Sequence, residues 1–190
     1  MNRLWSGLVL GALLAAPVAH AAEVEDAALA SLQGRWQVQE WTGYKPLAMF
    51  SGFMSASYEH AYAGSILVVE GTNTTWKLTV SPQMKGLLLG LFSSGGDLDV
   101  QKDGDVTYYV DRAAITAASS GSPGRLNFRA TQGEGAKLEA EYLAIWTLEG
   151  DTLVVCKNKT AGGVPPDTMG ITSDDFFHTR IVLKRAPSAP

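Results

Sequence analysis

The side chains able to do chemistry are few and scattered along this sequence. Its imidazoles are His20, His60 and His178, and its only thiol is Cys156. A zinc site needs three or four ligands with His or Cys prominent. The best the sequence offers is His178 with Asp174 and Asp175 just before it, a pattern better read as a polar loop entering a strand. Asp97, Asp99, Asp103 and Asp105 invite a calcium reading. A loop opened at Asp99 places Gln101 and Asp103 as ligands and Gly104 in the sixth position. Its twelfth position is then Val110, where the bidentate Glu is required, so these are solvated turn acids. Glu139 and Glu141 share one face of a strand beside Lys137 and alternate with Leu138, Ala140 and Tyr142, an ordinary polar outer face. There is no Gly-x-Ser-x-Gly elbow for a nucleophilic serine. The residues point to no cofactor and no metal, and away from an enzyme.

The elements that must position these residues are mostly strands. In Arg35-Trp36-Gln37-Val38-Gln39-Glu40-Trp41, apolar and polar residues alternate, with Trp36 and Val38 on one face and Arg35, Gln37 and Gln39 on the other. Similar signals predict strands over 65–70, 74–80, 98–101, 106–111, 125–130, 137–148, 152–157 and 178–184. Gly71-Thr72-Asn73, Lys102-Asp103-Gly104 and Glu149-Gly150-Asp151 read as hairpin turns, with Gly or Asn supplying positive φ. Many short strands joined in this way predict an all-β antiparallel sandwich or barrel. A short helix is expected over 24–32, with Glu23, Glu25 and Asp26 in its first turn and Gly34 just past its end.

Two stretches break the β pattern. Phe50, Met54, Tyr58 and Tyr62 recur every four positions, with Met49 and Phe53 beside them, and would share one stripe of a helix. Met84 to Phe92 is an apolar run carrying Gly86 and Gly90, too short to cross a bilayer.

The N-terminus reads as an export signal. Arg3 precedes an apolar run from Leu4 to Val18, and Ala19-His20-Ala21 supplies small residues where signal peptidase cuts. The run falls short of the roughly 20 residues of a membrane-spanning helix. Cleavage after Ala21 leaves enough chain for one domain with a buried core, over residues 22–185, and a tail of 186–190 expected to be disordered. The mature protein is expected in the periplasm or secreted. The net charge of −4 becomes one unit more acidic without Arg3, and no Lys/Arg cluster suggests a nucleic-acid surface. A lone Cys forms no internal disulfide, and Cys156, within Leu153-Val154-Val155-Cys156, reads as a packing residue.

Three segments in order complete the pattern. Leu32-Gln33-Gly34-Arg35-Trp36 opens the first strand, Trp146-Thr147-Leu148-Glu149-Gly150-Asp151-Thr152-Leu153 forms a late hairpin, and Ile181-Val182-Leu183-Lys184-Arg185 closes the chain. That order resembles an uncharacterised lipocalin-like domain family best known from Planctomycetes, whose members open with Leu-Gln-Gly-x-Trp. Gly43-Tyr44-Lys45-Pro46-Leu47 is similar to that family's first hairpin loop. The likeness covers the two ends, about a third of the mature chain. It implies a lipocalin-like β-barrel with a helical, apolar insertion. It also implies that Trp36 plugs the closed end with Arg185 or Arg180 stacked across it. The family supplies no catalytic residue, cofactor or ligand.

Within such a barrel, the expected role is non-enzymatic binding of a small hydrophobic ligand, with Phe50, Phe53, Met54, Tyr58 and Leu88 lining the cavity. The alternative is a protein-interaction or inhibitor module of the cell envelope that uses an exposed apolar patch. Edman sequencing of the exported protein is expected to begin at Ala22; a mature chain beginning at Met1 overturns the export reading.

Overall fold

The structure, a computed structural model, describes residues 24–42, 62, 64–79, 99–104, 106–131, 141–158, 162–172, 175 and 177–187. A helix α1 (Asp26–Leu32) is followed by strands β1 (Gly34–Thr42), β2 (Ile66–Glu70), β3 (Asn73–Thr79), β4 (Asp99–Asp103), β5 (Val106–Ala118), β6 (Gly124–Ala130), β7 (Glu141–Glu149), β8 (Thr152–Asn158) and β9 (His178–Arg185). The strands run β3-β2-β1-β9-β8-β7-β6-β5-β4, and β3 also pairs with β5. That pairing closes eight of them into an antiparallel β-barrel of lipocalin-like form, leaving β4 outside the ring. One edge of β5 pairs with β3. The other pairs with β4 through Val106–Val110 and with β6 through Ala113–Ala118.

Alternation fills the interior. Leu67 and Val69 of β2, Leu126 and Phe128 of β6, Leu153 and Val155 of β8, and Ile181 and Leu183 of β9 all point inward and are buried. Full enclosure of such side chains contributes roughly 1.5–3 kcal/mol apiece. Trp146 of β7 lies over Gly124 of β6, its cross-strand partner. A Cβ on Gly124 would come within 2.3 Å of the Ser119 carbonyl and 2.7 Å of the indole nitrogen. The indole N–H donates to the Arg125 carbonyl at 3.1 Å.

Helix α1 lies across one end of the barrel and is tied at both of its own ends. At its start, the Glu25 N–H donates to the Ala118 carbonyl at 2.8 Å, and the Glu25 carboxylate accepts from the Ser120 N–H at 2.7 Å. At its finish, the Gln33 amide exchanges two hydrogen bonds with Gly71 in the β2–β3 turn. Trp36, wholly buried, donates from its indole to the Leu32 carbonyl at 2.8 Å. The Arg185 guanidinium stacks 4.1 Å above the Trp36 ring and forks onto the carbonyls of Gln33 and Ser31 at 2.8 and 3.1 Å. A cation placed on the last carbonyls of a helix satisfies groups that the helix itself leaves unpaired. Gly34 makes room for it: its φ is +109°, and a Cβ there would sit 3.3 Å from the Arg185 Nη1.

Two departures from the sequence expectations have physical causes. β5 runs seven residues past the expected end at Asp111, through the stretch Arg112-Ala113-Ala114-Ile115-Thr116-Ala117-Ala118. Alanines favour helix, but strands waiting on both edges supply the backbone partners, and tertiary pairing prevails. A register shift between Ile115 and Ala117 also breaks the alternation that would have marked this strand. In β1, a bulge between Val38 and Glu40 inverts the faces beyond it. Trp41, placed with the outer residues by strict alternation, therefore shares the inner face with Trp36.

Arg185→Ala is expected to lower unfolding free energy by about 2 kcal/mol through the lost stacking and charged hydrogen bonds. Arg185→Lys should recover less than half of that, because an ammonium cannot fork onto two carbonyls. Urea midpoints at constant slope measure both changes; an unshifted Arg185→Ala midpoint would remove the plug from its structural role.

Candidate functional site

The helix and Trp36 seal one end, so the chemistry available to the barrel lies at the other. There β1 finishes at Thr42, β3 at Thr79 and β8 at Asn158, while β7 and β9 begin. A cavity of about 160 Å3 opens at this end, lined by Trp41, Tyr62, Trp76, Leu78, Asp111 and Lys157. Three rings form its apolar wall. Trp41 lies 4.6 Å from Tyr62, tilted by 33°, and 5.9 Å from Trp76 in an edge-on contact at 73°. The β1 bulge turns Trp41 inward, and Trp76 faces Asp111 directly across the β3–β5 ladder.

The polar wall is Lys157 and Asp111. Lys157 continues the inward set of β8 after Leu153 and Val155, so its amine enters the lumen from the strand end. Nζ stands 4.7 Å from the centre of the Tyr142 ring. Among the described residues, no oxygen accepts a hydrogen bond from it. Burial lowers the pKa of this amine and the charge of Asp111 opposes the fall. Asp111 keeps much of its surface open to the mouth of the cavity, yet its loss of bulk water raises its carboxyl pKa. Lys157 and the Arg112 backbone N–H counter that rise. Burial, then the charge of Asp111, pushes the Tyr142 phenol upward. All three shifts follow from setting ionisable groups among apolar walls.

Beside the barrel, the stretch 162–172 covers a second, smaller apolar cluster. Ile145, Cys156 and Ile171 pack outside the ring with Met169. Cys156 is fully buried, and desolvation lifts its thiol to about 11, against a lowering by Arg180. This thiol is therefore a packing group without thiolate character at neutral pH. Asn158 donates to the Gly163 carbonyl and accepts from the Leu143 N–H, both at 2.9 Å, and is 1% exposed. His178 is engaged at both ring nitrogens, with Asp175 at 2.9 Å and the Val164 carbonyl at 3.1 Å. Desolvation tends to raise Asp175, but hydrogen bonds from the His178 ring and from the His178 and Phe177 N–H groups, with the His178 charge, hold its carboxyl below the usual value. Among the described residues, no group of three or more His, Cys, Asp or Glu is placed to hold a metal ion.

On the outer surface, a trough of about 250 Å3 lies between Thr147, Glu149, Thr152, Val154, Met169 and Arg180. It is roomier than the interior cavity, but its walls are the solvated outer faces of β7–β9. Arg180 spends its charge there on Glu40 at 3.3 Å.

Of the site residues expected from sequence, Trp36 and Arg185 meet at the sealed end. Phe50, Phe53, Met54, Tyr58 and Leu88 lie outside the described residues. Tyr62, the last member of their stripe, lines the cavity. The rest of the described lining came from residues that were not singled out as site residues. Lys157 alone carried a readable signal, the alternation Leu153-Val155-Lys157. The chain matches no protein-family model and no curated protein. No helix among the described residues is long and apolar enough to cross a membrane.

The Lys157 amine has a lower pKa folded than the 10.5 of the unfolded lysine. Between those two values the unfolded chain binds more protons, so stability rises with pH. Urea unfolding at successive pH values above neutrality is expected to show this rise in the wild type and to lose it in Lys157→Met. Equal slopes in the two proteins would mean that Lys157 is solvated like a surface residue.

Proposed function

We propose that the chain is an exported, non-enzymatic binding protein of the lipocalin-like family, and that it holds one small, largely apolar ligand in the open end of its barrel. The observation that carries this reading is the cavity itself. It pairs a wall of three aromatic rings and Leu78 with two convergent polar groups, the composition that small-molecule sites show. Its volume suits a single ring, since a dry cavity of about 150 Å3 holds benzene. The sealed opposite end directs entry through the mouth. Export rests on the leader, and family membership on the order of the Gly-x-Trp strand, the late hairpin and the basic final strand.

Docking through an apolar patch is supported less. Val164 and Phe177 are 76% and 77% exposed, but isolated apolar side chains are normal on protein surfaces.

Titration with benzyl alcohol, followed by the emission of Trp41 and Trp76, is expected to saturate in the wild type. The cavity-filling Leu78→Trp variant is expected to bind at least tenfold more weakly with an unchanged fold by circular dichroism. Linear, unsaturable quenching, equal in the two proteins, overturns the ligand reading.

A further inference from the structure

We propose that Lys157 captures carbonyl compounds: its amine forms a reversible imine with a small aromatic aldehyde seated against Trp41 and Trp76. This inference rests on the ligand reading above and names the ligand class for that same cavity.

The geometry is unusual for a lysine. Lysine normally keeps its ammonium in bulk water while burying only its stem. Lys157 instead projects inward from β8, past Ala144 and Thr179, its cross-strand partners, into the cavity. Both neighbours are buried, so the stem is directed into the cavity, with the side chain half-buried at its mouth. Among the described residues its only partners are the Tyr142 ring face at 4.7 Å and the field of Asp111. No acceptor oxygen of the described residues fixes it, which leaves the nitrogen lone pair available once the proton is lost. Desolvation favours that neutral form, the condition under which lysines act as nucleophiles toward carbonyls.

The remaining lining suits the rest of the reaction. Nζ attacks the carbonyl carbon, a C–N bond forms, and the carbonyl π pair moves to oxygen, which takes the proton that nitrogen releases. The carbinolamine then loses its oxygen as water. That step needs a proton at oxygen, and the Asp111 carboxyl, which lines the same cavity and is open to solvent, is placed to relay one. The nitrogen lone pair forms the C=N bond as the C–O bond breaks, and the proton remaining on nitrogen returns to the Asp111 carboxylate. Amine and aldehyde become imine and water, with no change in oxidation state. The aromatic wall accounts for the ring of the aldehyde, and the volume of about 160 Å3 restricts it to one ring.

The test treats the full-length exported protein with benzaldehyde and sodium cyanoborohydride at neutral pH and follows it by intact mass and peptide mapping. The expected result is one reduced benzyl adduct per chain, on Lys157, forming at least tenfold faster than at any other lysine and suppressed by benzyl alcohol. Asp111→Asn is expected to slow the adduct about tenfold and to flatten the acid side of its pH–rate profile. Lys157→Arg and Lys157→Met are both expected to abolish it, and either suffices if the other fails to fold. Adducts spread evenly over surface lysines, with benzyl alcohol still bound, overturn the imine and leave the binding site intact. Failure of both benzyl alcohol binding and adduct formation overturns the two readings together.

Discussion

The closure of one barrel end by a single guanidinium is the constraint on which the molecule depends. Arg185 ends the last strand, lies on the ring of Trp36 in the first, and takes up the free carbonyls at the finish of α1. A barrel of this size could be filled along its whole length by side chains. With the Trp36 indole and the helix at one end, the described side chains leave a cavity at the other. The turns at 71–72 and 150–151 lie at the plugged end, whereas β1 finishes at Thr42 and β3 at Thr79 on the open rim.

The two halves of the interior obey different energetics. Around Trp36, Leu153, Ile181 and Leu183 the inward positions are inaccessible and apolar apart from Thr74, whose hydroxyl donates to the Ala113 carbonyl, and the apolar ones add to stability by leaving water. Toward the rim, Lys157, Asp111 and Tyr142 occupy inward positions that an optimised core would give to Leu or Val. A charged pair there is no better for stability than well-packed apolar residues of similar volume. Groups that weaken the fold while converging on a cavity are the usual mark of a site shaped for something other than stability. That reasoning, rather than any motif, singles out the open end.

The barrel was legible because alternation and turn chemistry are local. Leu67 and Val69, Leu126 and Phe128, and the Glu149-Gly150-Asp151 turn declare strands and hairpins without reference to the rest of the chain. The site was less legible because its members come from β1, β3, β5 and β8, elements distant in sequence that meet only after the ring closes. Two bulges concealed part of it, since the shift at Val38/Glu40 moved Trp41 inward and the shift at Ile115/Ala117 hid the second half of β5. Lys157 was readable in principle, as the third inward position of β8. A terminal lysine nevertheless reads as a solvent-facing strand end unless the cavity beside it is already known. The stripe containing Phe50 and Met54 was the louder hydrophobic signal, and its member Tyr62 is the point at which that signal and the cavity coincide.

The pairing of β1 with β9 also governs the order in which the fold can form. The hydrogen bond from Arg185 to Gln33 joins residues 152 positions apart, so the ring cannot close until the whole chain is available. Until then β1 has one unpaired edge and Trp36 has no cation above it. Contacts of such long range slow folding, because the entropy of loop closure is lost before they form. A chain released a few residues short of Arg185 would keep nearly every hairpin and still be an open sheet, its first strand exposed along the edge where the last should lie.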